Sequence, residues 1–576
     1  MREDLEARLR EAVERVVREL APDAEVDLGP ISLVPARSPE HGDYACNAAL
    51  VLAKPLRSSP RVLAEKIAAA LDAPDVERTE IAGPGFLNLY LARERWHDVV
   101  GQILRAGEAW GRSDASAGEA VQVEFVSANP TGPLTIGHGR NAVLGDAVAR
   151  LFEAVGCKVT REYYFNDGGR QMRVLGESVR ARYLEQLGKA APPPAAAFEE
   201  GAEWPESLDG LPVAFPRDGY RGGYIGEIAG AIRQREGEGW VDEPGAGRFR
   251  EEAQQKIFKG IRASLDALGI HFDVYSNEKD FYEDGSVERV LEDLRAVDLV
   301  YESEGAIWLR ATSLGLDRDR VLVRGSGEPT YLLPDVAYHR AKLGRGFRRV
   351  IDVQGADHFD QFPYVVESVR ALGYDADAVE LVMHQFVTLT EGGAQVKQST
   401  RRATYVTVDE LLEDVGADVF RFFMIQRKAD GHLDFDLDLA RETDWTKNPA
   451  YYLQYAYART HGIERRAAEL EVAMPAPDQV DASRLELPEE VELIRKLGEF
   501  PERVRRAAEA REPHHVAYYL RELAGLWNPY VQDGSRHRIL SDDAELSAAR
   551  LGLCLAVRSV LGRGLELLGI NAPERM

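Results

Sequence analysis

The stretch Val121-Gln122-Val123-Glu124-Phe125-Val126-Ser127-Ala128-Asn129-Pro130-Thr131-Gly132-Pro133-Leu134-Thr135-Ile136-Gly137-His138-Gly139-Arg140-Asn141 decides the fold. Its first six residues read as a strand, which stops at Asn129-Pro130 and Gly132-Pro133. A helix is expected over 137–155, and 157–164 is a second β-type run. Strand, loop, helix and strand in that order begin an open α/β sheet. A helix that starts at Gly137-His138 points free backbone N–H groups toward an anion, and Gly137 lets a nucleotide approach the main chain. His138 can donate to a phosphate oxygen or a ribose, although a Gly-His pair taken alone reads as a structural histidine.

At 576 residues the chain exceeds one hydrophobic core. Residues 1–110 begin with a charged amphipathic helix and a Pro-rich passage (Pro30, Pro35, Pro39), then show a strand after the turn Gly83-Pro84-Gly85, an α+β pattern. The small, polar segment 111–118 is a linker. Residues 116–447 carry the sheet, with later strands at Val350-Ile351-Asp352-Val353 and Glu380-Leu381-Val382-Met383 and insertions at about 173–330. Within these, the Pro- and Ala-rich run 188–204 reads as a surface excursion. From Asn448 the pattern turns helical: Val491, Ile494 and Leu497 share a face, as do Val516, Leu520 and Leu523. The expected architecture is α/β multidomain: a Rossmann-type parallel-sheet domain with insertions, an α+β N-terminal domain and an all-α C-terminal domain over 448–576.

Composition excludes several classes. No run reaches the roughly 18 apolar residues that a membrane span needs. The N-terminus lacks the apolar core and cleavage site of a signal peptide. Cys46, Cys157 and Cys554 lie far apart, which excludes a disulfide framework or a zinc ribbon and fits a reducing cytoplasm. A net charge of −25 argues against a general nucleic-acid coat. The 17 basic and 20 acidic side chains of 448–576 leave that part nearly balanced, which permits local RNA contact.

A second chemical element is Val396-Lys397-Gln398-Ser399-Thr400-Arg401-Arg402, three cations and two hydroxyls after Gly392-Gly393. Such a loop can close on a triphosphate and stabilise transition-state charge, or simply be a solvated basic loop. Together the two elements resemble the HIGH and KMSKS signatures of class I aminoacyl-tRNA synthetases. Glu124 to Pro133, Tyr163 to Met172, Tyr331-Leu332-Leu333-Pro334-Asp335-Val336-Ala337-Tyr338-His339 and Gly355-Ala356-Asp357-His358 resemble the arginyl-tRNA synthetases in particular. So do Gly42-Asp43-Tyr44-Ala45, Gly83-Pro84-Gly85-Phe86, Asn448-Pro449-Ala450-Tyr451-Tyr452 and the C-terminal Ala572-Pro573-Glu574-Arg575-Met576.

The resemblance implies two-step chemistry: ATP activates the carboxylate of L-arginine, and the arginyl group passes to the terminal ribose 2′-OH of tRNA(Arg). Positioning and charge stabilisation suffice for both steps, so no covalent nucleophile is required. Magnesium is expected with the triphosphate, with no tightly bound metal. His138, Thr135, Lys397 and Arg401 are the implied catalytic residues, and Gly137, His138, Asn141, His358, Lys397 and Ser399 the implied ATP contacts. Asp335, Tyr331 and Glu278 would face the guanidinium, whose five donors demand acceptors. Asn129 would hold the α-amino or carboxylate end, with Glu124 in support. Asp335 could instead cap a helix, and Glu278 could be a surface carboxylate. Residues 1–110 would hold the tRNA elbow and 448–576 the anticodon. There Tyr451, Tyr455, Arg459, Trp527 and Met576 are the candidate RNA contacts, from stacking on aromatics and arginines, although any one of them taken alone reads as core packing. The implied protein is a cytoplasmic monomer.

The chain departs from the family pattern at Thr135, where the first histidine of HIGH is usual, and at Gln398 and Thr400, where Met and the second Lys are usual. These departures are the support for reading it as an inactive paralogue; the acidic pocket residues and the N-terminal domain count against that reading.

Overall fold

In the computed structural model, which describes residues 2–22, 31, 33–36, 41–167, 169–199, 201–356, 359–396 and 406–576, the expected first strand is Ala120–Glu124 (β1). It is the middle strand of a five-stranded sheet completed by Lys158–Phe165 (β2), Val274–Asn277 (β3), Arg349–Gly355 (β4) and Val379–His384 (β5). The spatial order is β5-β4-β1-β2-β3 and every pairing is parallel, with Val123 opposite Arg161 on one side and Ile351 on the other. Chain order reverses between β1 and β4, so a crevice opens beyond the carboxyl ends of these two strands. Val121 and Val123 are fully buried, as a parallel strand covered on both faces requires.

Helix α1 (Ile136–Ala154) follows β1 and packs on its end. A Cβ on Gly145 would lie 2.2 Å from the Phe125 ring, and one on Gly139 2.5 Å from Phe420, so both contacts require glycine. The connection from β2 to β3 is long. It includes helices Gly169–Gln186, Gly223–Glu236 and Arg250–Ala267. A small antiparallel sheet (Val300–Ser303, Ala306–Leu309, Arg320–Val323) precedes α2 (Leu332–Gly344), and its Leu309 and Leu322 share a core with Val336 and Ala337 of that helix.

Most of the Pro- and Ala-rich run lies at the surface, as expected, and a few small side chains anchor it. Ala190, Ala191 and Ala197 are 2, 4 and 5% exposed, and Phe198 packs edge-on against Trp204 and Phe215. Small side chains bring the backbone close to its neighbours, as in the Ala191 N–H to Pro212 hydrogen bond of 2.9 Å.

The chain forms two compact units. One holds Glu108–Arg465, Glu499–Asn528 and Arg558–Met576, and thus the parallel sheet. The other holds Met1–Gly107, Arg466–Gly498 and Pro529–Val557. In this second unit an antiparallel sheet runs in the order Leu33–Pro35, Tyr44–Cys46, Phe86–Leu91, Val76–Ala82. Gly42, at φ 87°, enters it where a Cβ would strike the Leu89 carbonyl oxygen at 2.6 Å. Asp43 beside it accepts from the Leu91 N–H and pairs with Arg495 at 3.0 Å. Among the described residues no helix is long and apolar enough to cross a membrane.

Candidate active site

The crevice holds a cavity of about 1050 Å³. Its walls bring together Glu124, Asn129, Glu278, Tyr331 and Asp335 from the amino-acid set with Thr135, Gly137, His138 and Asn141 from the nucleotide set.

Beyond β1 the backbone is strained: Val126 and Ser127 have φ of 66° and 42°, a region uncommon for any residue but glycine and avoided most by a β-branched valine. Side chains hold this turn. Asn141 Oδ1 accepts from the Val126 N–H at 2.6 Å, and Asn141 Nδ2 donates to the Val353 carbonyl at 2.8 Å, tying β1 to β4 across the crevice. Ser127 Oγ donates to Glu124 at 2.8 Å and accepts from the Tyr164 N–H at 3.2 Å. Both ends of the Asn141 amide therefore serve the scaffold of the turn.

Thr135 caps α1, and His138 Nδ1 accepts from the Thr135 N–H at 3.2 Å. That bond places the ring proton on Nε2. Around the Cβ position of Gly137 the nearest atom is 3.8 Å away, so the helix start is open to a close-approaching ligand. The Val408 N–H donates to the Leu134 carbonyl at 2.8 Å and Thr407 bridges to Thr135, while the Val396 N–H bonds Leu389. Lys397, Ser399 and Arg401 lie outside the described residues, as does His358. The segment just after residue 405 is nonetheless hydrogen-bonded to the start of α1.

Three carboxylates converge on the cavity. Glu278, only 8% exposed and no surface group, accepts from the Tyr164 hydroxyl at 3.0 Å and Asn166 Nδ2 at 2.7 Å. Burial raises its pKa, Tyr164 opposes the shift and Asp167 adds to it. Asp335 sits inside the first turn of α2, not at its cap, and accepts from Gln361 Nε2. Burial, together with the charges of Glu278 and Glu124, pushes it up to about 7 against the pull of His339 and Gln361. Tyr331, one turn before it, is 55% exposed on the rim. Asn129 accepts from the Asn166 N–H at 3.0 Å and donates to Gln171 at 3.1 Å.

Beneath this pocket lies a network that sequence reading missed. Lys342, with no exposed surface, donates to Asp352 Oδ1 at 2.7 Å and to Glu124 Oε2, and stands 4.2 Å from the centre of the Tyr338 ring. His339 Nε2 lies 2.7 Å from Asp352 Oδ2. Tyr338 stacks on Tyr164 with ring centres 4.2 Å apart. The signal was Asp352 between the apolar Ile351 and Val353 and the helical spacing of Asp335, His339 and Lys342.

Of the expected RNA contacts, Trp527 is corrected. It is fully buried, its indole N–H donating to the Ala456 carbonyl at 3.2 Å, and so fills the core of the helical region. Tyr455 stacks on Trp445 at 3.8 Å, and the Arg459 guanidinium lies 5.4 Å from its ring centre while donating to the Asn528 carbonyl. Tyr451 is half-buried and Met576 is exposed.

Three families match the chain: the arginyl tRNA synthetase N terminal domain over 3–91, the class I (R) tRNA synthetase catalytic domain over 99–192 and 242–428, and the DALR anticodon binding domain over 453–576. The arginine–tRNA ligase of Desulfotalea psychrophila is 46% identical over 93% of this chain and 94% of its own. That of Salinibacter ruber is 45% identical over the same shares. The solved Thermus thermophilus arginyl-tRNA synthetase superimposes with a TM-score of 0.74 at 25% identity, covering 99% of this chain and 100% of that one. With its crevice at the strand-order reversal, its helix N-terminus and its carboxylate pocket, the chain belongs to the arginyl-tRNA synthetases.

Proposed function

We propose that the crevice binds L-arginine with its guanidinium at Asp335, Glu278 and Tyr331 and its α-amino or carboxylate end at Asn129, Glu124 supporting the pocket from β1. ATP lies across the start of α1, where Gly137, the Nε2–H of His138 and the Thr135 hydroxyl meet the phosphates. Lys397, Ser399, Arg401 and His358 complete the nucleotide site. ATP enters with Mg²⁺ on its triphosphate.

The arginine carboxylate attacks the α-phosphorus, giving arginyl-adenylate and pyrophosphate. The ribose 2′-OH of tRNA(Arg) then takes the arginyl group and AMP leaves. The protein's part is to align the two reactants and to neutralise phosphate charge in a site that excludes water. Residues 1–110 hold the tRNA elbow, 116–447 carry the chemistry, and 448–576 read the anticodon through Tyr451, Tyr455, Arg459 and Met576, as a cytoplasmic monomer.

The observation that carries the arginine assignment is the meeting of Asp335, Glu278 and Glu124 in one cavity beside a helix N-terminus. A buried carboxyl whose pKa is raised by burial and by neighbouring carboxylates, as that of Asp335 is, is relieved by a permanent cation, and guanidinium is one. ATP–pyrophosphate exchange, run with a panel of amino acids in the presence and absence of tRNA(Arg), tests it. Exchange should depend on arginine; exchange driven by a different amino acid, or none under any condition, overturns the reading.

A further inference from the structure

We propose that His339 is a positioning residue for the amino-acid substrate: its imidazolium, held between the Asp335 backbone and the Asp352 carboxylate, favours the ionised form of the Asp335 carboxylate that arginine needs. This rests on the assignment of Asp335 to the guanidinium.

The charge on His339 follows from its partners. Nδ1 lies 2.8 Å from the backbone oxygen of Asp335, which can only accept. Nε2 lies 2.7 Å from Asp352 Oδ2. Asp352 has no proton to offer, because Lys342 donates to its other oxygen at 2.7 Å and this cation holds it well below the usual carboxylate range despite its burial. Two acceptors require two donors, so both ring nitrogens carry hydrogen. The side chain is 6% exposed.

The surroundings of Asp335 make that charge matter. Facing it are Glu124 on β1, Tyr164 on β2, and Glu278 and Tyr282 of the helix Glu278–Glu283; Tyr331 immediately precedes its own helix, His339 lies on it, and Gln361 precedes the next. The carboxylates favour a protonated Asp335, which could not pair with a guanidinium. His339, one helical turn away on the same face, opposes them. Lys342, nearby, is engaged by Glu124 and Asp352.

The test is the pH dependence of kcat/KM for arginine in tRNA-supported exchange, from about pH 5.5 to 8.5. His339→Gln keeps the size and a donor but removes the charge. Its acid limb should move to higher pH by about half to one unit, which raises the arginine KM at neutral pH about 3–10-fold, with the gap closing at alkaline pH and the ATP KM unmoved. An unmoved limb, or a loss equal at every pH, overturns the proposal. If that variant folds poorly, nitrogen-15 NMR of the parent decides the same point: His339 should be doubly protonated at neutral pH, and a single ring N–H overturns it. Asp335→Asn separates the two layers. Normal arginine affinity in that variant removes the pocket assignment itself, whereas lost affinity together with an unmoved His339→Gln limb removes only the role of His339.

Discussion

Lys342 Nζ lies 2.7 Å from Asp352 Oδ1, and neither side chain has any exposed surface. The pair, with Glu124 as second acceptor, fixes the underside of the amino-acid pocket. Replacing the cation leaves two buried carboxylates without the lysine that neutralises them, which costs about 3–5 kcal/mol. Lys342→Met is expected to lower the urea midpoint accordingly. Adding Asp352→Asn should return part of the loss; a double variant as unstable as the single would contradict this account.

Asp335 couples the pocket to pH. Its pKa, about 7 in the folded protein, stands above its ordinary 3.8, so the native state binds the proton more tightly than the unfolded chain. Stability from this group is complete below about pH 4 and declines as pH rises toward 7. Asp335→Asn should therefore unfold later than the parent at pH 8, with the difference shrinking at pH 5, in thermal melts at both pH values.

With arginine seated at Asp335 as proposed, binding should release a proton below about pH 7, since the guanidinium pairs only with the ionised form. Affinity should weaken by up to about tenfold per pH unit on the acid side. Calorimetry in buffers of different ionisation enthalpy measures the released proton, and Asp335→Asn should abolish both the release and the affinity while ATP still binds.

Two glycines of α1 should fail differently. Gly145→Ala drives a Cβ into Phe125, an overpacking worth about 1–3 kcal/mol of stability. Gly137→Ala meets open space, so it should fold normally but raise the ATP KM by occupying the nucleotide's approach. Melting curves and steady-state kinetics on the two variants distinguish the outcomes.

The helical region offers a similar contrast. Tyr455→Ala or Arg459→Ala should raise the KM for tRNA(Arg) several-fold while exchange at saturating tRNA is retained. Trp527→Ala should instead cost about 3–5 kcal/mol of stability, because a fully buried indole leaves a cavity.

Much of this was legible in sequence because its signals are local. The turn after β1 carries its own Pro and Gly punctuation, and the expected sheet strands at Val350 and Glu380 lie within β4 and β5. Glu278 and Asp335 were picked out through the family resemblance. Their meeting depends on β3 and α2 arriving at one crevice, a non-local outcome that no periodicity encodes. Lys342 escaped notice because a lysine on a helix is ordinarily solvated, and only three-dimensional packing reveals its two carboxylates. Trp527 misled for the opposite reason: an aromatic in a helical region suits RNA stacking and core packing equally, and burial alone separates them.

The division of the C-terminal helices has a consequence for biosynthesis. The unit that begins with Met1–Gly107 also includes Arg466–Gly498, whose helix Pro488–Gly498 packs on Arg93–Ala106, so this contact cannot form until the intervening parallel-sheet segment has been translated. At about 5–20 residues per second that is a wait of tens of seconds. During it the face of Arg93–Ala106 that receives the late helix leaves the ribosome uncovered, the kind of transiently exposed surface that chaperones guard.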